Sequence, residues 1–140
     1  MEKALSSYME AKALHFRIGS QETPEFALLM MNIGTVRRLQ QNLLDSMAAY
    51  DEAKHVYKKN DMLEADTEGV LELIHNIGVL HQVSGNLQAA LESFEQVKFA
   101  RGNNGTLATP YGAELLRHIG QVKWKQGDLQ GAMAEFKEAK

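Results

Sequence analysis

At 140 residues, with 15 Lys and Arg against 18 Asp and Glu and no cysteine, the chain is sized for one domain and excludes disulfides and thiolate zinc sites. An apolar content of 44% with 24% charged residues argues against wholesale disorder, and a formal charge of −3 argues against a surface devoted to nucleic acid. No run of eighteen apolar residues occurs, and the amino-terminal "MEKALSSYMEAKALHF" has the pattern of an amphipathic helix rather than a signal peptide, so a cytoplasmic protein without membrane association is expected.

The first predicted element is a helix over residues 1–19, with Ala4, Tyr8 and Ala11 on one face and Gly19 able to adopt the left-handed conformation that ends it. Thr23 and Pro24 then open a second helix, because threonine satisfies free backbone N–H groups and proline at the first position loses no hydrogen bond. Leu29, Met30, Ile33 and Val36 have the three-and-four spacing of its buried face. After the turn "QN", Leu43, Met47, Tyr50 and Ala53 mark a third helix, antiparallel to the second because the turn is short. Asn60 is the residue expected to stop it.

The same sequence of signals then recurs. Thr67 caps a helix carrying Leu73, Ile74, Ile77 and Leu80, the turn "GN" follows, and Leu87, Ala90, Leu91, Phe94 and Val97 mark its partner, with Gly102 as the expected stop. Thr109 and Pro110 open a helix with Leu115, Leu116, Ile119 and Val122, followed by "GD" and by Leu129, Ala132, Met133 and Phe136. Basic Lys58, Lys59 and Arg101 near helix ends suit the negative pole of the helix dipole.

Gly34, Gly78 and Gly120 lie 44 and 42 positions apart, and Tyr8, Tyr50, Phe94 and Phe136 lie 42, 44 and 42 apart. A period in this range is the signature of a solenoid. Glycine inside a helix costs about 1 kcal/mol relative to alanine, so three in phase require a reason. Close approach of the first helix (A) to the second (B) of each unit supplies it, with small Ser46, Ala90 and Ala132 expected at the matching place on B.

These columns resemble the tetratricopeptide repeat (TPR), whose pattern runs large apolar, Leu-Gly, aromatic, then Ala, aromatic, Ala. Met30, Ile33, Gly34, Ser46, Tyr50 and Ala53 fill the first full unit. Ile74, Ile77, Gly78, Gly85, Ala90, Phe94 and Val97 fill the second, and Leu116, Ile119, Gly120, Gly127, Ala132, Phe136 and Ala139 the third. Two departures stand out: Arg37, His81 and Lys123 replace the aromatic three residues after the glycine, and the period exceeds the usual value of about 34. Long units with a Thr-Pro start are similar to the repeats of kinesin light chains. The resemblance implies an all-α, right-handed α-solenoid of antiparallel helix pairs with about three and a half repeats. It divides the chain into 1–19, helix B of a partial repeat, then 23–60, 67–102 and 109–140. Because neither end shows a polar capping helix, a segment of a longer solenoid, or an array whose ends contact further repeats or another chain, is expected.

The resemblance also implies function: a protein-interaction module or scaffold that holds a partner peptide or helix in a concave groove lined by the A helices. Carried over by position, the groove residues are Asn32, Thr35 and Arg38, then His75, Asn76, Val79 and Gln82, then Arg117, His118, Gln121 and Trp124. Asparagine fits such a role because its amide both donates to and accepts from an extended backbone. Met31 and Glu114 belong to the same face. The clamp by which some TPR domains grip chaperone tails resembles this chain only at Asn76, since Met31, Thr35, Glu114 and His118 depart from it; a chaperone-tail clamp is not expected. A permanent structural element of a cytoskeletal, ciliary or motor-associated assembly is the alternative.

The charges add a refinement. Arg37, Arg38, His75, His81, Arg117, His118, Lys123 and Lys125 fall on A helices, whereas Asp51, Glu52, Glu92, Glu95, Glu135 and Glu138 fall on B helices, so an acidic partner segment is favoured. Trp124, the sole tryptophan, sits at a groove position, with packing between helices as its expected role. His75 and His118 stand at nearby levels of adjacent A helices, but no His pair has helical zinc spacing and no acid is in register, so no metal or other cofactor is expected. Neither a nucleophile with its base nor a phosphate loop occurs, so no catalysis is expected.

Overall fold

The computed structural model describes residues 1–62, 67–127, 133 and 135–137. Six helices have bounds among the described residues: α1 (Glu2–Ile18), α2 (Pro24–Leu39), α3 (Leu43–Lys59), α4 (Glu68–Val83), α5 (Leu87–Asn104) and α6 (Pro110–Lys125), and residues 133 and 135–137 are helical as well. No strand occurs among the described residues. The chain forms two compact units, Met1–Leu73 and Ile74–Lys140, with the division inside α4.

In the first unit α2 and α3 form an antiparallel hairpin, as the order of their contacts shows: Gly34 meets Tyr50, while Met31, further back along α2, meets Tyr57, further on along α3. The expected faces of both helices point inward. Met30, Ile33, Tyr50 and Ala53 are buried, together with Phe26, Ala27 and Val56. Ser46, also buried, donates its hydroxyl to the Gly34 carbonyl at 2.7 Å. The α1 helix contributes His15 and Phe16, both edge-on to Phe26 at 5.4 and 5.7 Å.

The second unit repeats the arrangement. Gly78 meets Phe94, Gly120 meets Phe136, and Leu80, Ala90, Val97, Leu115, Leu116, Ile119 and Val122 are buried. The three glycines thus make room for rings: a Cβ would stand 2.6 Å from Tyr50, 2.6 Å from Phe94 and 2.9 Å from Phe136. The helix approach expected from sequence is real, and its steric partner is the closing aromatic itself rather than the small residue four positions before it. Met133, expected on the buried face of the last helix, is 66% exposed. Leu129, Ala132, Glu138 and Ala139 lie outside the described residues.

The helix starts follow the threonines. The hydroxyls of Thr23, Thr67 and Thr109 accept from the backbone N–H of Phe26, Val70 and Gly112 at 3.3, 3.4 and 3.3 Å. The helix ends depart from expectation at two places. Gly19 is left-handed with φ 74°, but Asn60 has φ −93° and the next residue, Asp61, takes the left-handed position at φ 55°. Gly102 lies inside α5, which continues to Gly105 at φ 77°. Two glycines three residues apart both permit a stop, and closure of Thr106 N–H onto the Arg101 carbonyl at 2.9 Å selects the later one.

The A-to-B turns share one geometry. Gln41, Gly85 and Gly127 occupy the same left-handed position with φ of 65°, 84° and 85°. Around Gln41 the N–H of Asn42 reaches the Arg37 carbonyl at 2.8 Å, and around Gly85 that of Asn86 reaches the His81 carbonyl at 2.9 Å. This pattern satisfies the last helical carbonyls and suits glycine, so Gln41 is the strained member of the series.

Candidate functional site

The exposed face of the A helices is best defined in the second unit, where the end of α4 lies beside α6. Gln82 on α4 donates from Nε2 to Gln121 Oε1 on α6 at 3.2 Å, and its own Oε1 lies 3.2 Å from His118 Nδ1. With Gln82 held this way, His118 donates from Nδ1. The two imidazoles meet edge to face, His75 to His118, with ring centres 5.3 Å apart.

Phe94 forms the floor beneath both rings. It stacks against His118 at 5.5 Å with planes 17° apart, and it meets His75 at 5.5 Å and 78°. Because Gly78 admits the Phe94 ring to that position, the repeat's glycine–aromatic pair also fixes the two histidines. Burial, with the nearby His118 charge as the second cause, lowers the His75 pKa from 6.5 to about 4, so the ring is neutral at pH 7. Glu114, one turn before His118 on α6, places Oε1 3.6 Å from His118 Nε2 and 3.8 Å from the Arg117 guanidinium.

Several residues predicted for a groove therefore come together: His75, Gln82, His118 and Gln121 form one connected polar cluster. Asn76 and Val79 are half-buried on the same helix, and Arg117 is exposed. Trp124 is 62% exposed, which overturns its expected role as a packing residue. An indole directed to solvent follows from its position one stripe away from buried Ile119 and Val122.

In the first unit the predicted residues behave differently. Thr35 donates to the Met31 carbonyl at 3.1 Å and its hydroxyl lies 2.9 Å from Tyr50 Oη, so it serves the hairpin. Met31 is buried, with its sulfur 3.9 Å from Tyr57 Oη. Asn32 and Arg38 are half-buried.

Two charge expectations also change. Lys123, at the column where the aromatic is missing, lies 3.3 Å from Glu135 and 3.9 Å from Glu95, and Glu135, itself buried, also receives Lys98 at 3.0 Å. That cluster replaces the packing the aromatic would give. Arg37, at the same column of the first unit, lines a cleft with Lys12, Asp45 and Glu52. The basic excess of the A helices is thus partly offset. The expectation that no acid is in register with His75 and His118 fails as well, because the ligand atoms of His75, Glu114 and His118 lie within 4.8 Å of one another. Sequence spacing could have found Glu114 through its i, i+4 relation to His118; the repeat register already places His75 near His118, and their rings meet as that register implies.

No protein-family model matches the sequence, and no curated protein matches it. Solved structures do. BtubC (BKLC) from P. vanneervenii superposes with a TM-score of 0.85 at 22% identity, covering 99% of this chain and 54% of that one. Nearly identical TPR-like repeats from Podosopora anserina, in a protein described as a kinesin light chain, superpose with a TM-score of 0.84 at 14% identity, covering 99% and 64%. A single-substitution variant of the latter gives 0.83 at 14% identity, with the same coverage.

The chain has the TPR-like solenoid fold of kinesin light chain repeats. It spans between about half and two thirds of the length of these structures. No helix among the described residues is long and apolar enough to cross a membrane.

Proposed function

We propose that the chain is a protein-interaction module or scaffold that takes a partner peptide or helix along the exposed face of its A helices and performs no chemistry of its own. The observation that carries this reading is Trp124, an exposed indole on the same stripe of α6 as Gln121 and Arg117, on a TPR-like fold. Tryptophan and arginine are the residue types most enriched where binding energy concentrates. Asn76 and Gln82 on α4, and Asn32 and Arg38 on α2 of the first unit, supply amide and guanidinium groups suited to a peptide backbone and its side chains. Arg38 and Arg117 favour an acidic segment through long-range attraction, which double charge reversal, Arg38→Glu with Arg117→Glu, should weaken.

Trp124 is the sole tryptophan, so its emission reports the face directly. Partner capture should be lost with Trp124→Ala and with Asn32→Ala plus Asn76→Ala, and the captured partner should shift the emission of the wild type. Full retention by Trp124→Ala with unchanged emission would reject the reading. The likeness to kinesin light chain repeats favours one further version, a permanent part of a motor-associated or cytoskeletal assembly; a dissociation half-life of hours rather than seconds would select it.

A further inference from the structure

The contact between His118 and Glu114 has a physical consequence. Gln82 presents its carbonyl oxygen to Nδ1, because its amide nitrogen is committed to Gln121. This contact keeps a proton on Nδ1 and turns Nε2 toward the Glu114 carboxylate, 3.6 Å away. Nε2 and a carboxylate oxygen at that distance call for a positive charge between them, either a proton on Nε2 or a metal ion held by both. His75, with its ring 5.3 Å from that of His118, brings a further nitrogen to the same place, and all three donor atoms fall within 4.8 Å of each other.

We propose that His75, His118 and Glu114 bind one divalent transition-metal ion of the zinc class, with two imidazole nitrogens, one carboxylate oxygen and an outward position left for water or a partner's side chain. Borderline ions of this class favour imidazole with carboxylate, at bond lengths of about 2.0–2.2 Å in a tetrahedral arrangement. That geometry needs donor separations of roughly 3.3–3.5 Å, derived from those bond lengths. Glu114 and His118 nearly meet it already. The carboxylate of Glu114 is half-exposed, on rotatable bonds that can close the remainder, whereas the His118 side chain, 13% exposed, is held by Phe94 and Gln82.

The supporting shell has the form metal sites require. A ligating histidine is oriented by a hydrogen bond from its other nitrogen, here from Nδ1 to Gln82, and Gln82 is oriented in turn by Gln121. The floor beneath the ion is the buried Phe94 ring. Repetition does not account for the arrangement: the position of His75 in its unit is occupied by Met31 in the first, and that of His118 by Asn32. The inference is independent of the partner-binding proposal and stands or falls separately from it.

Titration of the full chain, without an affinity tag, with Zn²⁺ in a calorimeter should give one tight equivalent. Co²⁺ should give the intense visible absorption of a tetrahedral ion. His75→Gln, His118→Gln and Glu114→Gln should each weaken Zn²⁺ by about 10-fold or more, and Gln82→Ala by about 10–100-fold through loss of orientation. His55→Gln and His81→Gln should leave affinity unchanged. Circular dichroism of each variant checks folding, and Glu114→Gln, altering only an exposed carboxylate, keeps the test decisive where a histidine variant fails to fold. Equal affinity in wild type and Glu114→Gln, or no binding to the wild type, would overturn the proposal.

Discussion

The first and second units contain the same steric device and use it differently. Gly34 admits Tyr50, and Gly78 admits Phe94, each ring resting 2.6 Å from where a Cβ would stand. Around Tyr50 the polar complement is internal, since its hydroxyl meets Thr35 at 2.9 Å and closes the hairpin upon itself. Phe94 has no hydroxyl; His118 stacks on it and turns its nitrogens toward Gln82 and Glu114, while His75 meets it edge to face. The comparison teaches that the repeat constrains the ring and its glycine, while the residues bordering the ring are free to become either structural or chemical.

Removing the ring gives the largest effect. Phe94→Ala should cost about 3–5 kcal/mol, read from urea unfolding, because a fully buried aromatic leaves a cavity. Tyr50→Phe, which keeps the ring and deletes only the bond to Thr35, should cost about 1 kcal/mol. Similar losses in both would mean that the hydroxyl, not the steric pair, holds the first hairpin.

A second contrast concerns glycines. Gly78→Ala drives a methyl into Phe94 and should lose about 1–3 kcal/mol despite the better helix propensity of alanine. Gly102→Ala, in α5 with open space around it, should gain about 0.5–1 kcal/mol. Thermal midpoints moving in the same direction would break the distinction between packing glycines and incidental ones.

The turn effect is no larger than that gain. Gln41→Gly should stabilise by about 0.5–1 kcal/mol, because it relieves a left-handed side chain at the position where the second and third units carry Gly85 and Gly127. A neutral or negative change in unfolding free energy would show that the Gln41 side chain compensates for its backbone.

The first unit also carries a pH-dependent group. Burial, reinforced by the Glu72 charge, raises the Tyr57 pKa above 10.0. On raising the pH the unfolded chain therefore releases this proton first. The stabilisation is complete below pH 10 and is lost as the pH climbs from there through the folded-state value. Tyr57→Phe should flatten that alkaline limb; an unchanged limb would place its origin elsewhere.

Much of the fold could be read from residue order. The threonine caps, the phase of Gly34, Gly78 and Gly120, and the apolar faces of α2, α4 and α6 are local signals, each set by helix geometry within a few residues. Less of the site could be read. Trp124 pointed outward against expectation because packing depends on which stripe of α6 its neighbours cover. Thr35 turned inward because a tyrosine hydroxyl, unlike a phenylalanine edge, offers it a partner. Glu135, read from sequence only as an acid of a B helix, is buried between Lys98 and Lys123.

By itself the sequence determined the helices, their ends to within a few residues, and the phased recurrence of a glycine and of an aromatic, because these follow from backbone geometry and the forty-odd-residue period; that the ring is the glycine's steric partner was decided by the packing. Only the tertiary structure decided which polar side chains meet. The repeat register places His75 and His118, 43 positions apart, at nearby levels of adjacent helices, but nothing in local propensity sets them over the same ring. Burial of Phe94 does so, since a ring seated against glycine leaves the flanking positions of two neighbouring helices within reach of each other.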